Sequence, residues 1–290
     1  MKKLRVRNHK VVLNRSYGGD IGITVILALF AVVMAFPLYY AVMNSLKPLD
    51  ELWVFPPRFY VVNPTGKNYT DLFKLMSTSW VPFSRYIFNT VLITVSGTFG
   101  NLILGSMAAY ALAKIKFPGK NALFQLIVLS LMFISSVTGI INFITMRYLH
   151  LIDNPLAIIL PACASSLGLY LMKQFMESSV SDAVLESARL DGAGEFRTFW
   201  TIAMPVVKPG WLTMIVYSVQ NLWQTGSTSY IYSEQYKTFN YAIQQIVSAG
   251  IVRAGASSAA TVVMMVVPVT VFVISQSNVI ETMGSSGMKD

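Results

Sequence analysis

Apolar residues in this chain come in long runs that charge does not interrupt. Between consecutive charged residues lie six neutral windows, 21–46, 86–113, 121–146, 154–172, 209–233 and 254–280. About 20 apolar residues cross a bilayer as a helix, and the range reaches down to about 17, so even the shortest window, 154–172, qualifies. A soluble fold would need six such buried helices in one chain. The pattern therefore predicts an all-α integral membrane protein with six transmembrane helices. A seventh window, 238–252, is too short to span. Its Ile243, Ile246, Val247 and Ile251 fall at helical spacing, which predicts a helix lying on the membrane surface or packed on the bundle.

Composition agrees with the pattern. Of 290 residues 54% are hydrophobic and 12% charged, with mean hydropathy +0.56, against about 25% charged in soluble domains. Positive charge sets the orientation, because Lys and Arg collect on the cytoplasmic side. With the N-terminus inside, the inner segments hold the basic arm Lys2, Lys3, Arg5, Arg7, Lys10 and Arg15, the short loop with Lys114, Lys116 and Lys120, then Lys173, Arg189, Arg197, Lys208 and Lys289. The outer segments hold fewer, spread through longer loops. Both termini are predicted inside (N-in/C-in). The expected organisation is an arm 1–20, a single six-helix domain 21–280 with an inner loop 177–208, and a tail 281–290. The net charge of +9 is accounted for by the anionic inner leaflet, and no nucleic-acid partner is implied. The basic start leads into a full-length span with no small-residue cleavage site, so the first helix is expected to be retained. The single cysteine, Cys163, can form no internal disulfide.

No window carries an ionisable group at its middle. Proton-coupled carriers, pumps and voltage sensors place such groups at membrane depth because they are the mechanism, so those classes are disfavoured. There is no GxxxxGK[ST] stretch, and His9 and His150 are too few for a metal cluster. No nucleophile, base and acid can be assembled into a triad. The spans do carry neutral polar side chains, among them Asn44, Asn101, Gln125 and Asn142. In hydrocarbon these must face other helices or a wet cavity. The densest group is "VQNLWQT", where Gln220, Asn221 and Gln224 surround Trp223. Amides beside an aromatic face suit a hydroxyl-rich ligand, and interhelical hydrogen bonding is the competing use.

Between the fourth and fifth windows runs a two-signed, glycine-broken stretch, "LESARLDGAGEFRTFWTIAMPVVKP". Ser181 is placed to cap a short helix with Asp182 in its first turn. Gly192 supplies a left-handed stop, and a second short helix is expected to end at Pro205 and Pro209. Leu185, Ala188 and Leu190, then Phe196, Phe199 and Trp200, form an apolar patch rimmed by charge. That composition fits a docking surface, or an amphipathic loop on the inner leaflet.

The spacing here is Glu186-Ser187-Ala188, three residues, Gly192, nine residues, Ile202-Ala203-Met204-Pro205. It resembles the "EAA" loop of the permease subunits of bacterial ATP-binding-cassette importers, EAA-x3-G-x9-I-x-L-P, departing only at Ser187 and Met204. The Asp191-Gly192-Ala193 triplet is also typical. The rest of the chain is similar to the second permease subunit of maltose-type systems. The basic arm, "NSLKP" at 44–48 and "SQSNVIETMGSSGMKD" at the end bring it nearest to a group handling larger oligosaccharides, uronate-containing ones included. The resemblance implies the binding-protein-dependent (type I) permease fold. It also implies a homologous second permease subunit, two cytoplasmic ATPase subunits that bind the ATP and Mg, an extracytoplasmic solute-binding protein and an oligosaccharide substrate. This chain would itself bind no cofactor and catalyse nothing. In the family the EAA loop is the coupling helix seated on the ATPase, which puts Glu186, Ser187, Ala188, Asp191, Gly192, Ala193 and Phe196 at that contact. Gln220, Asn221, Trp223, Gln224 and Asn142 are the expected substrate-pathway residues. The outer loop 47–85, rich in proline and aromatics, is expected either to dock the binding protein or to lie as a lid on its own bundle. Two other classes stay open on the sequence: a self-sufficient carrier or channel for a neutral polar solute, and a membrane-anchored assembly protein using the loop as a handle.

Overall fold

The computed structural model describes residues 17–77, 81–133, 135–226, 229–248, 250 and 253–286, and these form helices and connecting turns with no strand among them. The first window becomes α1 (Tyr17–Leu46) and the second α4 (Phe83–Lys114); the outer loop between them holds α2 (Leu49–Leu52) and α3 (Lys67–Ser77). The third window is two helices, α5 (Lys120–Ser130) and α6 (Ser135–Tyr148). At the junction Leu131, Met132 and Phe133 each donate to a carbonyl three residues back, and Ser130 Oγ donates to Ile127 O at 2.6 Å and pairs with the Ser166 hydroxyl at 2.8 Å. Tightening to i→i−3 bonds is how α-helices end, so neither half is long enough to span alone.

The fourth window is α7 (Leu156–Cys163) and α8 (Ser166–Ser179), restarted where Ser165 Oγ accepts from Gly168 N at 3.2 Å. The helical segment 156–179 runs past the end of the neutral window at 172. The fifth window gives α12 (Lys208–Trp223), and the sixth gives α14 (Ala254–Ser286). Between them α13 (Phe239–Val247) packs on the bundle through Phe239, Ile243 and Ile246. Val247 stays exposed, and Ile251 lies outside the described residues. Among the described residues, four segments have the length and composition to cross a membrane: Gly18–Leu46, Phe83–Lys114, Leu156–Ser179 and Ala254–Gln276. A fifth is possible only if Glu195–Val206 and Lys208–Trp223, bent by 83°, count as one.

Helix α4 is the centre of the bundle. Its buried residues include Tyr86, Asn89, Ile93, Gly97, Asn101, Gly105 and Ala109, a three-to-four-residue stripe that marks one packed face. It packs against α7, α8 and α12. At Gly100 an added Cβ would overlap Cys163 Sγ, so the missing side chain lets α4 and α7 approach closely. In contrast, α1 meets the rest mainly through α14 and α3, toward its outer end, and its first half is exposed throughout.

The loop between α1 and α4 is tied down from within. Lys47 is 2% exposed, and its Nζ donates to Asn44 Oδ1 at 2.9 Å and to Arg58 O at 2.5 Å. A buried ammonium persists only when hydrogen-bonded. Asn68, buried on α3, donates both amide hydrogens, to Ser45 O at 2.8 Å and Lys47 O at 2.7 Å, satisfying carbonyls at the frayed end of α1. The buried Glu51 accepts from Val62 N at 2.8 Å and Asn63 N at 3.3 Å.

On the same side Asp153, at φ 63°, joins the α6–α7 turn to the segment after α12. Its carboxylate accepts from Tyr232 N at 3.0 Å, Ser233 N at 2.8 Å and the Ser233 hydroxyl. The Ser233 side chain foremost, with these backbone N–H groups, holds the Asp153 carboxyl below its ordinary value of 3.8. A lowered folded-state pKa gives stability that is present above the unfolded value and lost as pH falls through the folded one. The detergent-solubilised chain should therefore melt lower as pH drops from about 5 to below 3.8. Asp153→Asn should flatten part of that slope, by about 2 °C or less because the group is only partly buried and is screened by solvent. Identical slopes in both proteins would remove Asp153 from the acid response.

Candidate functional site

The loop between α8 and α12 forms the first of the helices its residues predict. Helix α9 (Asp182–Leu190) follows Ser181, which adopts the extended cap conformation without a side-chain cap bond. It ends in a Schellman motif: Gly192 has φ 78°, Ala193 N donates to Ala188 O at 2.9 Å, and Gly192 N donates to Arg189 O at 3.0 Å. The second helix differs from expectation. It runs as α10 (Glu195–Thr198), a π-helical turn (Phe199–Ala203) and α11 (Met204–Val206), so Pro205 lies inside it. Proline at the start of a turn needs no N–H partner. The chain then bends by 83° at Val207, and Pro209 opens α12. Trp211 Nε1 closes the corner by donating to Met204 O at 3.2 Å.

The expected apolar patch is divided. Leu185 and Phe199 are buried, packed with Tyr110, Met172 and Val207 into the chain's own core, and Ala188 is buried as well. Leu190, 90% exposed, stays on the surface with Val184, Phe196 and Trp200. Of the expected contact residues, Glu186, Ser187, Asp191, Gly192 and Phe196 are exposed, Ala193 is half-buried and Ala188 faces inward. Ser187 satisfies its hydroxyl on its own helix, donating to Ala183 O at 3.0 Å, so serine fits where the motif has alanine.

Ion pairs fasten this loop to α4. Arg189 Nε donates to Glu195 Oε1 at 2.7 Å, and Tyr110 OH donates to Glu195 Oε2 at 2.9 Å. One carboxylate thus bridges α9, α10 and α4. Tyr110 also packs on the Phe199 ring at 5.5 Å. Lys114 Nζ meets Asp182 Oδ1 at 2.8 Å. The Arg189 guanidinium holds the Glu195 carboxyl below the usual carboxylate range, against the opposing effect of partial burial, and Lys114 does the same for Asp182. The sequence reading missed this bridge. Its signal was the opposite charges Arg189 and Glu195 flanking the Gly192 turn; the Tyr110 partner, 85 positions away, left no local trace.

The amide cluster is also divided. Gln220, Asn221 and Gln224 are exposed, whereas Trp223 is 6% exposed, donates from Nε1 to Met264 O at 3.0 Å and packs on Phe239. At about 100° per residue Gln220, Gln224 and Asn221 share one arc of the helix, and Trp223 lies to its side, on the face that α14 covers. Asn221 Nδ2 donates to Tyr217 O at 2.9 Å, and Asn240 of α13 donates to Gln224 O. Asn142, on α6, is half-buried, and no hydrogen bond among the described residues joins it to the others.

A family model described as "Binding-protein-dependent transport system inner membrane component" matches residues 101–283, most of the chain and all of the loop and amide cluster. The chain belongs to that family. This permease is 30% identical over 202 residues to the sn-glycerol-3-phosphate transport system permease protein of Yersinia enterocolitica, covering 69% of this chain and 71% of the relative. It is 30% identical over 206 residues to the arabinooligosaccharides transport system permease protein of Bacillus subtilis, covering 70% and 71%. It is 26% identical over 203 residues to the diacetylchitobiose uptake system permease protein of Streptomyces coelicolor, covering 68% and 64%. Its fold matches, with TM-score 0.74 at 23% identity over 91% of this chain and 98% of the other, a chain in the crystal structure of a bacterial ABC transporter involved in the import of the acidic polysaccharide alginate. The permease is thus an inner-membrane protein with the type I ABC-importer fold.

Proposed function

We propose that this permease moves oligosaccharides, delivered by an extracytoplasmic binding protein, through a pathway shared with a homologous second permease, and that two cytoplasmic ATPase subunits drive it through α9 and α10. In this reading both termini are inside. The six spans are α1, α4, the α5–α6 pair, the α7–α8 pair, α12 with the segment after it, and α14, between the arm 1–20 and the tail 281–290. The observation that carries the reading is the loop 182–206. It presents Glu186, Leu190 and Phe196 on the surface while Leu185 and Phe199 anchor it in the core. A firmly anchored loop with exposed apolar side chains among charges can be pushed by a partner without collapsing. A complex purified through this chain should contain an ATPase and a second permease, and solute movement in proteoliposomes should require ATP. Transport by the lone chain would sink the reading and favour a secondary carrier.

Oligosaccharides are favoured over a phosphorylated solute by the amides. The exposed residues Gln220, Asn221 and Gln224 have hydrogen-bonding groups and no charge, and the nearby Lys237 is engaged by Glu234 at 2.9 Å and Tyr241 OH at 2.7 Å. Asn142 remains a further pathway residue on α6; Trp223 would act from behind, fixing the α12 face. A triple alanine substitution at 220, 221 and 224 should raise the half-saturating concentration about tenfold, given about 0.5–1.5 kcal/mol per hydrogen bond. Uptake assays with arabino- and alginate-derived oligosaccharides would measure it; unchanged kinetics for every sugar would remove the assignment.

A further inference from the structure

We propose that α4 is the strut that carries the inner loop's displacement to the outer segment 229–247, with Tyr110 and Glu195 as the positioning groups at its inner end and Asn89 at its outer end. This rests on reading the loop as the ATPase contact. The inner fastening is the Glu195 bridge, with its bonds to Arg189 and Tyr110 at 2.7 and 2.9 Å. The outer fastening is equally dense. Asn89 Nδ2 donates to Gln235 O at 2.9 Å and Lys237 O at 3.0 Å; Tyr86 OH donates to Glu234 Oε1 at 2.7 Å; Thr90 Oγ1 accepts from Phe239 N at 2.7 Å. One turn of α4 therefore holds residues 234–239 of the outer segment, while Asp153 holds Tyr232 and Ser233. Between Tyr86 and Tyr110 the helix has no break and no proline, and at about 1.5 Å per residue it spans about 36 Å.

The covalent route from the loop, through α12, is a poorer transmitter. It begins at an 83° bend preceded by a π-helical turn, a joint that absorbs rotation. Stability does not explain the inner bridge, because Arg189 and Glu195 are about half exposed, and exposed pairs contribute little. What the bridge does is fix the register of α9 and α10 against α4, so that motion of one is motion of the other.

Cys163 is the only native cysteine, so a Cys163→Ala background leaves room for single reporters in the assembled, reconstituted complex. Gln235→Cys reports the outer end by its reaction rate with a membrane-impermeant maleimide, nucleotide-free against ATP–vanadate-trapped. Glu186→Cys reports loop seating by cross-linking to an ATPase subunit. The outer rate should differ between the two states by about fivefold or more, the usual lower range of allosteric coupling. Glu195→Gln should erase the difference while the cross-link persists and the melting temperature barely moves. Tyr110→Phe, which keeps the ring on Phe199, and Asn89→Ala should each reproduce the loss, and Tyr110→Phe combined with Glu195→Gln should be no worse than either alone. A retained difference in Glu195→Gln, additive effects in the pair, or no difference in the parent overturns the strut. Loss of the cross-link in Glu195→Gln overturns it too, because the bridge would then only shape the loop. A parent that never cross-links to an ATPase refutes the docking reading instead.

Discussion

Replacing Gly192 by valine is expected to stop uptake while leaving the chain inserted in the membrane. At φ 78° the residue sits in the left-handed region, where an L-side chain costs about 1–2 kcal/mol and a β-branched one more. No atom lies within 4 Å of the position a Cβ would take, so crowding is not the cause; the backbone itself is. About 2 kcal/mol of strain shifts a local equilibrium by about thirtyfold. The turn would leave the Schellman geometry, and α10 would swing away from α9 and from the Glu195 bridge. Asparagine tolerates this conformation, so Gly192→Asn should retain most uptake and Gly192→Ala should fall between. Solute-stimulated ATP hydrolysis by the purified complex is the measurement. Equal loss in all three variants would mean that the surface at 192, and not its backbone, matters.

Asn68→Leu is expected to lower the melting temperature by roughly 5–10 °C, from a loss of about 3 kcal/mol. Leucine repeats asparagine's branching with bulkier methyl groups, so the change opens no cavity and, against Gly255, adds some crowding of its own. It does strip two buried carbonyls, Ser45 O and Lys47 O, of their donors, and each unpaired group costs about 1–3 kcal/mol. Lys47 sits one peptide away with its ammonium already committed to Asn44 and Arg58 and cannot serve as a replacement. The outer loop would loosen from α1 and α14 together. An unchanged melting temperature would show that water or a shifted α3 satisfies those carbonyls.

Helix α9 was legible to the residue because its signals are local: Asp182 in the first turn, Gly192 past the end, apolar Leu185 and Ala188 three apart. The π-helical turn was not, since nothing in "FWTIA" marks a widened turn, and Pro205 looked like a terminator when it only begins one. The break at 131–133 escaped notice for a related reason. Hydropathy measures what a segment is made of and not whether its backbone continues, and Leu131-Met132-Phe133 contains neither proline, glycine nor charge. The two mixed clusters failed in one way. Sequence proximity grouped Trp223 with its amide neighbours and Ala188 with Glu186, while helical geometry sends each to the opposite face. Groups joined across long separations, Tyr110 with Glu195 or Asn89 with Gln235, were beyond any local pattern.

The bare first half of α1 has a consequence for how a cell handles this molecule. Almost every side chain from Ile21 to Met34 that is large and oily stands uncovered by the rest of the polypeptide, and a patch of that size in water drives clumping. A copy released before insertion, or made faster than membrane can receive it, would be lost to aggregation or proteolysis. Its synthesis must therefore keep step with delivery to the bilayer.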